Sequence, residues 1–207
     1  MRRKSFHKML CPIARSLERV GEWWSMLIMR DALHGMTRFD EFQTSLGIAP
    51  NMLTRRLNSL VEAGLLERRR YSARPPRYEY LPTARGGDFF PVLVALLNFG
   101  NKHFATDGKC VVIADRRTGK TADPVMMDAK TGQPIVDPDY ALAAGPAANQ
   151  RLKQKYAAID QALHGAADET GWPPHGKPVG SRAVVDTEIL HRQFFMPTGM
   201  HAEQHAR

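Results

Sequence analysis

Four hydrogen-bonding side chains recur at helical spacing within residues 49–64, APNMLTRRLNSLVEAG. At positions i, i+3, i+4 and i+7 they would share one face of a helix, and they are Asn51, Thr54, Arg55 and Asn58. The opposite stripe is apolar and consists of Leu53, Leu57 and Leu60. Asparagine can bond adenine in the major groove of DNA, arginine can bond guanine, and threonine can contact several bases. The pattern predicts a helix that reads base edges, and a merely solvated polar face is the alternative.

A cationic segment follows this helix and contains a Pro-Pro corner, Pro75-Pro76. Its residue pattern predicts a hairpin with strands at residues 65–71 and 77–81. Arginines along such a hairpin can contact phosphates, and Arg74 near the tip can enter the narrow minor groove, where the negative potential is strongest. An edge strand protected from aggregation by its charge is the alternative. The predicted contacts to the DNA backbone are Arg56, Arg68, Arg69, Arg70, Arg74 and Arg77.

The net charge of +8 is concentrated in the first half of the 207-residue chain. Residues 1–104 contain 17 Lys and Arg against 9 Asp and Glu, whereas residues 105–207 contain 12 of each. A basic field of this kind favours a polyanionic partner, most commonly nucleic acid. No apolar run approaches the roughly 20 residues of a membrane-spanning helix, and no signal peptide is recognisable. We therefore expect a cytoplasmic protein that makes no membrane contact.

The hydrophobic spacing of residues 1–104 predicts one mainly α-helical domain with a small β-hairpin wing. Thr37, followed by Asp40, is expected to cap the third of its helices. Two short helices joined at Gly47 form a helix-turn-helix pattern, and the hairpin behind them completes a winged-helix arrangement. The predicted helices cover residues 12–20, 22–35, 37–47, 49–64 and about 86–103.

A second domain, a small extension of β turns and irregular structure, is predicted for residues 105–207. Two related motifs, DRRTGKTADP from Asp115 and DAKTGQPIVDP from Asp128, begin 13 residues apart. They predict small β turns within residues 109–137. The remaining expectations are strands at 111–113 and 125–127, a linker at 141–150, a helix at about 151–165, and a weakly patterned tail at 166–207.

Residues 8–104 resemble the HxlR family of bacterial transcription regulators, a winged-helix branch related to MarR proteins. The resemblance implies a homodimer in which the first helix and the helix at about 86–103 pair across a two-fold axis. Two recognition helices would then enter successive major grooves of a pseudo-palindromic operator in double-stranded DNA, about 34 Å apart. The matching residues are Cys11-Pro12, Gly21, Trp24, and the runs SMLIMRDALHG, RFDEFQ, APNMLTRRLNSLVEAGLLERR and YSARPPRYEYLPTARG.

The resemblance also implies a response to an oxidant, an electrophile or a small molecule. Cys11 is the candidate redox sensor, because a helix start near Arg15 favours the thiolate; a partly buried cysteine without a role is the alternative. Cys110 is expected in the core of the extension. Trp23 and Trp24 could line an effector pocket, although such clusters more often form core.

The extension is similar to one that carries zinc-ribbon-like cysteine pairs in some family members. Here Thr118 and Thr131 stand before the glycines, and thiolates are what would hold Zn²⁺, so we predict no metal there. A metal site at His201 and His205 is not expected either. No phosphate loop, Gly-x-Ser-x-Gly motif or paired carboxylates appear, which excludes recognisable enzyme classes and predicts no cofactor. The alternatives to a DNA-binding regulator are a dimeric adaptor or a small-molecule sensor whose basic surface is incidental.

Overall fold

The computed structural model describes residues 9–137 and 139–165, which divide after Pro134 into two compact units. The boundary that composition predicts at residue 104 stays a prediction. None of the described helices is long and apolar enough to cross a lipid bilayer. The second unit contains the helix α7, Gln150–Gly165. The first contains α1 Pro12–Val20, α2 Trp23–Leu33, α3 Phe39–Leu46, α4 Pro50–Glu62, β1 Leu66–Ala73, β2 Pro76–Pro82, α5 Ala84–Gly87, α6 Phe90–His103, β3 Ile113–Ala114 and β4 Thr121–Ala122.

The winged-helix order predicted for the first unit is confirmed. Proline occupies the first turn of α1 and of α4, where its missing N–H costs no helical hydrogen bond. The turn between α3 and α4 depends on Gly47, whose φ of 60° is the left-handed conformation that a side chain disfavours. The apolar faces of α2, α3 and α4 meet the start of the hairpin in one core. Its buried residues are Val20, Ile28, Met29, Ala32, Phe42, Ile48, Leu53, Leu57, Leu60, Leu65, Leu66 and Tyr80.

The wing is longer and its tip tighter than the sequence predicts. Strands β1 and β2 pair antiparallel and leave only Arg74 and Pro75 between them. The segment before α3 adds a further pairing, because the Tyr80 N–H donates to the Thr37 carbonyl at 2.7 Å and Arg38 bridges to Glu79. The hairpin is therefore tied by its backbone to the start of the helix-turn-helix.

The prediction that Thr37 and Asp40 cap α3 is wrong. Arg38 is the N-cap residue, and Glu41 supplies the capping side chain. Glu41 Oε2 accepts from the backbone N–H of Thr37 at 2.8 Å and of Arg38 at 2.9 Å. Pairing of residues 37 and 38 with β2 draws them into extended structure, so the helix begins one residue later than a Thr37 cap would require.

The final helix of the first domain is interrupted, which the sequence analysis did not predict. It divides into α5 and α6, and Phe89 is the N-cap residue of α6. Pro91 lies in the first turn of α6 and cannot donate a backbone hydrogen bond, so it favours a new helix start there. The Thr83 hydroxyl oxygen accepts from the Gly86 N–H at 3.1 Å and caps α5.

The two repeated motifs of the extension form similar turns, as predicted. The Gly119 N–H donates to the Asp115 carbonyl at 2.8 Å, and the Gly132 N–H donates to the Asp128 carbonyl at 2.8 Å. The expected strands at 111–113 and 125–127 do not form as such, because only Ile113 of the first and Met127 of the second are paired. Each turn instead closes its own small hairpin. One consists of β3 and β4, and the other is a single bridge between Met127 and Pro134.

Two other expectations for the second half have different outcomes. The helix predicted at about 151–165 is present as α7. The prediction that Cys110 is buried is wrong, because Cys110 precedes β3 and is exposed. The tail at 166–207, with His201 and His205, lies outside the described residues.

A buried carboxylate links α2 to α3. Asp31, whose side chain is 4% exposed, accepts from Arg30 Nε at Oδ1, at 2.8 Å. Its Oδ2 accepts from the Ser45 hydroxyl on α3, also at 2.8 Å. Charge-assisted hydrogen bonds of this kind are stronger than neutral ones, so the Ser45 bond to Asp31 helps to hold α3 against α2.

We expect Asp31→Ala to lower the free energy of unfolding by about 2–3 kcal/mol, because two charge-assisted hydrogen bonds are lost. Urea unfolding followed by circular dichroism measures the change. Asp40→Ala, at an exposed position of α3, is the control and should cost no more than about 0.5 kcal/mol. Equal losses in the two variants would contradict a role for Asp31 in holding the helices.

Candidate nucleic-acid interface

The helix α4 presents an exposed polar face opposite its buried stripe. The three leucines of the stripe are fully buried, and the side chains opposite them are in solvent. From Asn51 to Asn58 this face extends about 10 Å along the helix axis, the length of about three base pairs. The structure thus brings together the residues predicted to read bases, namely Asn51, Thr54, Arg55 and Asn58.

Local hydrogen bonds determine what this face offers a ligand. Asn51 Oδ1 accepts from the Met52 N–H at 2.8 Å, so the side-chain NH₂ remains as the donor. The Thr54 hydroxyl donates to the Pro50 carbonyl at 2.9 Å, which leaves its oxygen as an acceptor beside the methyl group. The face therefore combines donors, an acceptor and an apolar group, the mixture that base edges require.

Arg56 does not join the exposed arginines with which the sequence analysis grouped it. Its Nη2 lies 3.1 Å from Oε2 of Glu22, and its side chain is only 16% exposed. Its Nε is buried and has no hydrogen-bond partner in the described part of the chain. The Arg56 side chain is held against the protein in this structure. The contacts to the DNA backbone proposed below therefore do not include it.

The three consecutive arginines of β1 have different surroundings. Arg69 lies opposite Glu79, and its Nε donates to Glu79 Oε1 at 2.8 Å. The Arg68 guanidinium lies over the Tyr78 ring, 3.6 Å from the ring centre. Successive side chains of a strand point to opposite faces, so Arg68 and Arg70 share a face that Arg69 does not. The single cationic run of the sequence is divided between the two sides of the wing.

The tip of the wing presents two further arginines to solvent. Arg74 is one of the two residues between the strands and is exposed. Arg77 lies opposite Ser72 at the start of β2 and is also exposed. A register shift between Arg70 and Ser72 marks a bulge, which increases the local twist of a hairpin. The tip is therefore narrow, cationic and twisted relative to the base of the wing.

Comparisons with known proteins agree with this arrangement. The HxlR-like helix-turn-helix family model matches residues 19–107, which include α4, the wing and α6. An uncharacterized HTH-type transcriptional regulator of Mycobacterium tuberculosis is 35% identical over 141 residues, covering 68% of this chain and 89% of that protein. The chain belongs to the HxlR-like helix-turn-helix family.

Solved structures extend the likeness of this HxlR-like protein beyond its family domain. The structure of a candidate transcription factor from Pseudomonas aeruginosa is 56% identical, with a TM-score of 0.53, and the match covers 70% of this chain and 99% of that one. A second candidate transcription factor is 37% identical, with a TM-score of 0.62, and the match covers 69% of this chain and all of that one. The relatives and the fold are those of transcription regulators rather than enzymes.

Arg38 is a further exposed cation, between the helix-turn-helix and the wing, that was not predicted from the sequence. Arg38 is the N-cap residue of α3, and its guanidinium lies 5.1 Å from the centre of the Tyr71 ring. The sequence does contain a pattern that could have indicated Arg38, since it stands just before the acidic first turn of the predicted third helix. The pairing of Arg38 with Glu79 on β2 depends on distant residues and could not be predicted from spacing.

The Glu41 carboxylate holds the backbone of Thr37 and Arg38 in place through hydrogen bonds. The backbone N–H of Arg38, and next that of Thr37, lower the pKa of the Glu41 carboxyl below its ordinary value of 4.5, because both hydrogen bonds stabilise the carboxylate. The carboxylate is also placed at the positive end of the α3 dipole. The start of α3 is therefore stabilised by an ionised Glu41.

The residues considered as effector sensors are not gathered in one site. Cys11 is half-buried at the N-cap of α1, and its redox role stays a prediction. Trp24 packs against the core, whereas its neighbour Trp23 is 73% exposed. The two rings therefore lie in different surroundings and do not form a shared pocket wall.

Thr118 and Thr131 precede the glycines of the two turns of the extension, and neither position supplies a thiolate. Among the described residues, no group of three His, Cys, Asp or Glu side chains is arranged to hold a metal ion.

We expect Glu41→Gln to destabilise the protein by about 0.5 kcal/mol near pH 7, because the neutral amide is a weaker acceptor at the helix start. A lowered pKa in the folded state contributes stability above pH 4.5, and that contribution is lost as the pH falls through the folded value. Urea unfolding at several pH values should therefore show the difference between the wild-type protein and the Glu41→Gln variant vanishing in acid. Glu62→Gln, exposed at the end of α4, is the control. A difference that is constant with pH would refute this account.

Proposed function

We propose that the protein is a homodimeric, sequence-specific repressor or activator that binds a pseudo-palindromic operator in double-stranded DNA. The observation that supports this most directly is the exposed polar face of α4 beside an arginine-bearing hairpin. In this proposal α4 enters the major groove, and the wing lies along the backbone with its tip at the minor groove.

Each part of the interface has a different task in this proposal. The donors of Asn51 and Arg55 bond acceptors on base edges, and Thr54 accepts a hydrogen bond or contacts a thymine methyl. Asn58 extends this contact by one helical turn. Contacts to phosphates and to the minor groove set affinity rather than sequence preference, and we assign them to Arg38, Arg68, Arg70, Arg74 and Arg77.

Arg69 has a smaller task than the sequence suggests. Its ion pair with Glu79 offsets its charge and holds the two strands in register. The side chain is nevertheless 62% exposed, so the pair is screened by water and contributes little to stability. We propose that Arg69 mainly holds the two strands of the wing in register through Glu79, and that contact with a phosphate is its secondary role.

The dimer is proposed from uncovered apolar surface on α6 and α1. Val92, Leu96, Phe99 and His103 recur along α6 at i, i+4, i+7 and i+11, and the first three are exposed apolar side chains. The part of the extension at residues 105–134 does not cover this stripe. It meets the polar edge of α6, where Asn98 donates to the Pro124 carbonyl at 3.2 Å and Asn101 to the Val111 carbonyl at 2.8 Å.

In this proposal the exposed stripe of α6 packs against a second copy of the chain. Exposed apolar side chains on α1, including Ile13 and Leu17, offer a second uncovered surface in the same chain. Exposed apolar surface that recurs along one face of a helix is typical of an association site. Two copies related by a two-fold axis would present two α4 helices to two half-sites. A response of that dimer to an oxidant or small molecule rests on the family resemblance.

We expect Arg55→Ala to weaken binding and to relax base preference at one position, with a loss of about 1–3 kcal/mol in discrimination. Arg74→Ala should weaken binding to all sequences about equally, because the tip carries charge rather than base readout. Gel-shift titration on a duplex that the wild-type protein enriches from a random-sequence pool measures both. Lys130→Ala, an exposed lysine in the extension, is the control for the loss of one charge. Unchanged binding in both arginine variants would favour the adaptor alternative.

We expect Leu96→Asp to convert a dimer into folded monomers, since it places a charge in the centre of the α6 stripe. Sedimentation velocity measures the oligomeric state, and circular dichroism checks the fold. Thr44→Asp introduces the same charge at an exposed position of α3 and should leave the oligomeric state unchanged. A Leu96→Asp protein that still sediments as a dimer would exclude this stripe as the subunit contact.

A further inference from the structure

Arg56 lies next to a proposed base-reading residue, Arg55, yet its side chain contacts the protein. The guanidinium meets a carboxylate that is itself 30% exposed, and the pair joins the middle of α4 to the start of α2. The ion pair therefore connects the proposed DNA-reading helix to a different part of the scaffold.

The carboxylate end of this pair is held in place by its surroundings. Glu22 is the N-cap residue of α2 and immediately follows Gly21, which ends α1. The Gly21 N–H donates to the Leu17 carbonyl at 2.8 Å, and a Cβ at Gly21 would overlap that carbonyl oxygen. The Glu22 carbonyl accepts from the Met26 N–H at 3.2 Å. A close junction between two helices thus fixes the position from which Glu22 reaches α4.

The apolar contacts of α4 determine which face is buried, but they set the exact rotation of the helix less sharply than a directional contact does. Leu53, Leu57 and Leu60 hold the helix by burying apolar surface, a force that has no preferred direction. An ion pair with a hydrogen-bonding guanidinium has a defined geometry. At the outer radius of a helix, roughly 5–6 Å, a rotation of about 10° moves a side-chain tip by about 1 Å. A shift of about 1 Å is enough to break or seriously weaken a hydrogen bond to a base edge.

Stability alone is a poor explanation for an arginine at this position. A partly buried ion pair gains little net free energy after desolvation, and apolar side chains of similar volume often serve as well. Here the buried Nε also lacks a partner among the described residues, which weakens the pair further. A geometric role accounts for the arginine better than a stabilising one.

We propose that Arg56, paired with Glu22, is a positioning residue that fixes the rotation of α4 and so determines which base edges Asn51, Arg55 and Asn58 meet. This inference rests on the proposed DNA-reading function. It differs from a phosphate contact by Arg56 in what it predicts, because a positioning residue affects discrimination between sequences and a phosphate contact affects all sequences equally.

The test compares Arg56→Met, Glu22→Gln and the exchanged pair Glu22→Arg with Arg56→Glu. The probes are a duplex enriched by the wild-type protein from a random-sequence pool and its single-base-pair variants, titrated at several salt concentrations. Lys109→Met is the matched control, since it removes the lysine of an exposed ion pair with Asp123 and changes the net charge equally. Circular dichroism melting identifies any variant that fails to fold.

We expect Arg56→Met and Glu22→Gln each to reduce discrimination between the enriched duplex and its variants by about tenfold. The slope of log affinity against log salt concentration should not change, because no phosphate contact is lost. The exchanged pair should recover part of the discrimination, and Lys109→Met should leave it intact. If Arg56→Met does not fold, Glu22→Gln carries the test, since it keeps the arginine and the shape of the carboxyl group.

Two results would overturn the inference. Discrimination that survives in Glu22→Gln and Arg56→Met would show that the ion pair does not position α4. A uniform loss of affinity in Arg56→Met, with the salt slope reduced by about 1, would identify Arg56 as a phosphate contact instead. A wild-type protein that enriches no duplex would contradict the proposed function itself, which separates the two failures.

Discussion

The complete burial of one stripe of α4 is the constraint on which the interface depends. Leu53, Leu57 and Leu60 have no exposed surface, and each buried leucine contributes about 1.5–3 kcal/mol relative to exposure. A helix that keeps these three side chains dry cannot turn its polar face inward. The same residues that stabilise the core therefore determine which side chains of α4 are presented to a ligand.

The wing is coupled to α4 through the same core rather than through a flexible hinge. Leu66 and Tyr80, at the base of the two strands, are buried with the leucines of α4. The backbone of Tyr80 is also hydrogen-bonded to Thr37, at the start of the helix-turn-helix. Recognition of DNA by both elements at once requires a fixed distance between them, and a shared core provides it without ordering cost on binding.

Sequence periodicity predicted which face of α4 is exposed, because that depends on a single helix. It did not predict side-chain positions that depend on partners from distant segments. The exposed face of α4 followed from spacing alone, because an apolar stripe at i, i+4 and i+7 leaves one opposite face. Arg56 lies at the border of that stripe, and only the position of Glu22 decides that it points inward. The division of Arg68, Arg69 and Arg70 likewise depends on strand register, which the sequence of β1 does not contain.

Each of the two turns of the extension is ordered by a carboxylate of its own. In the first repeat, Asp115 Oδ1 accepts from the backbone N–H of Arg117 at 2.7 Å and of Thr118 at 3.1 Å. The Arg117 bond, and then the Thr118 bond, lower the pKa of Asp115, because both stabilise the carboxylate. In the second repeat, Asp128 Oδ1 accepts from the Lys130 N–H at 3.0 Å in the same way. A carboxylate within the turn thus orders the backbone, and it does so separately in each repeat. Each small hairpin can therefore form from local residues alone, which accounts for the similar turns of two motifs that begin 13 residues apart.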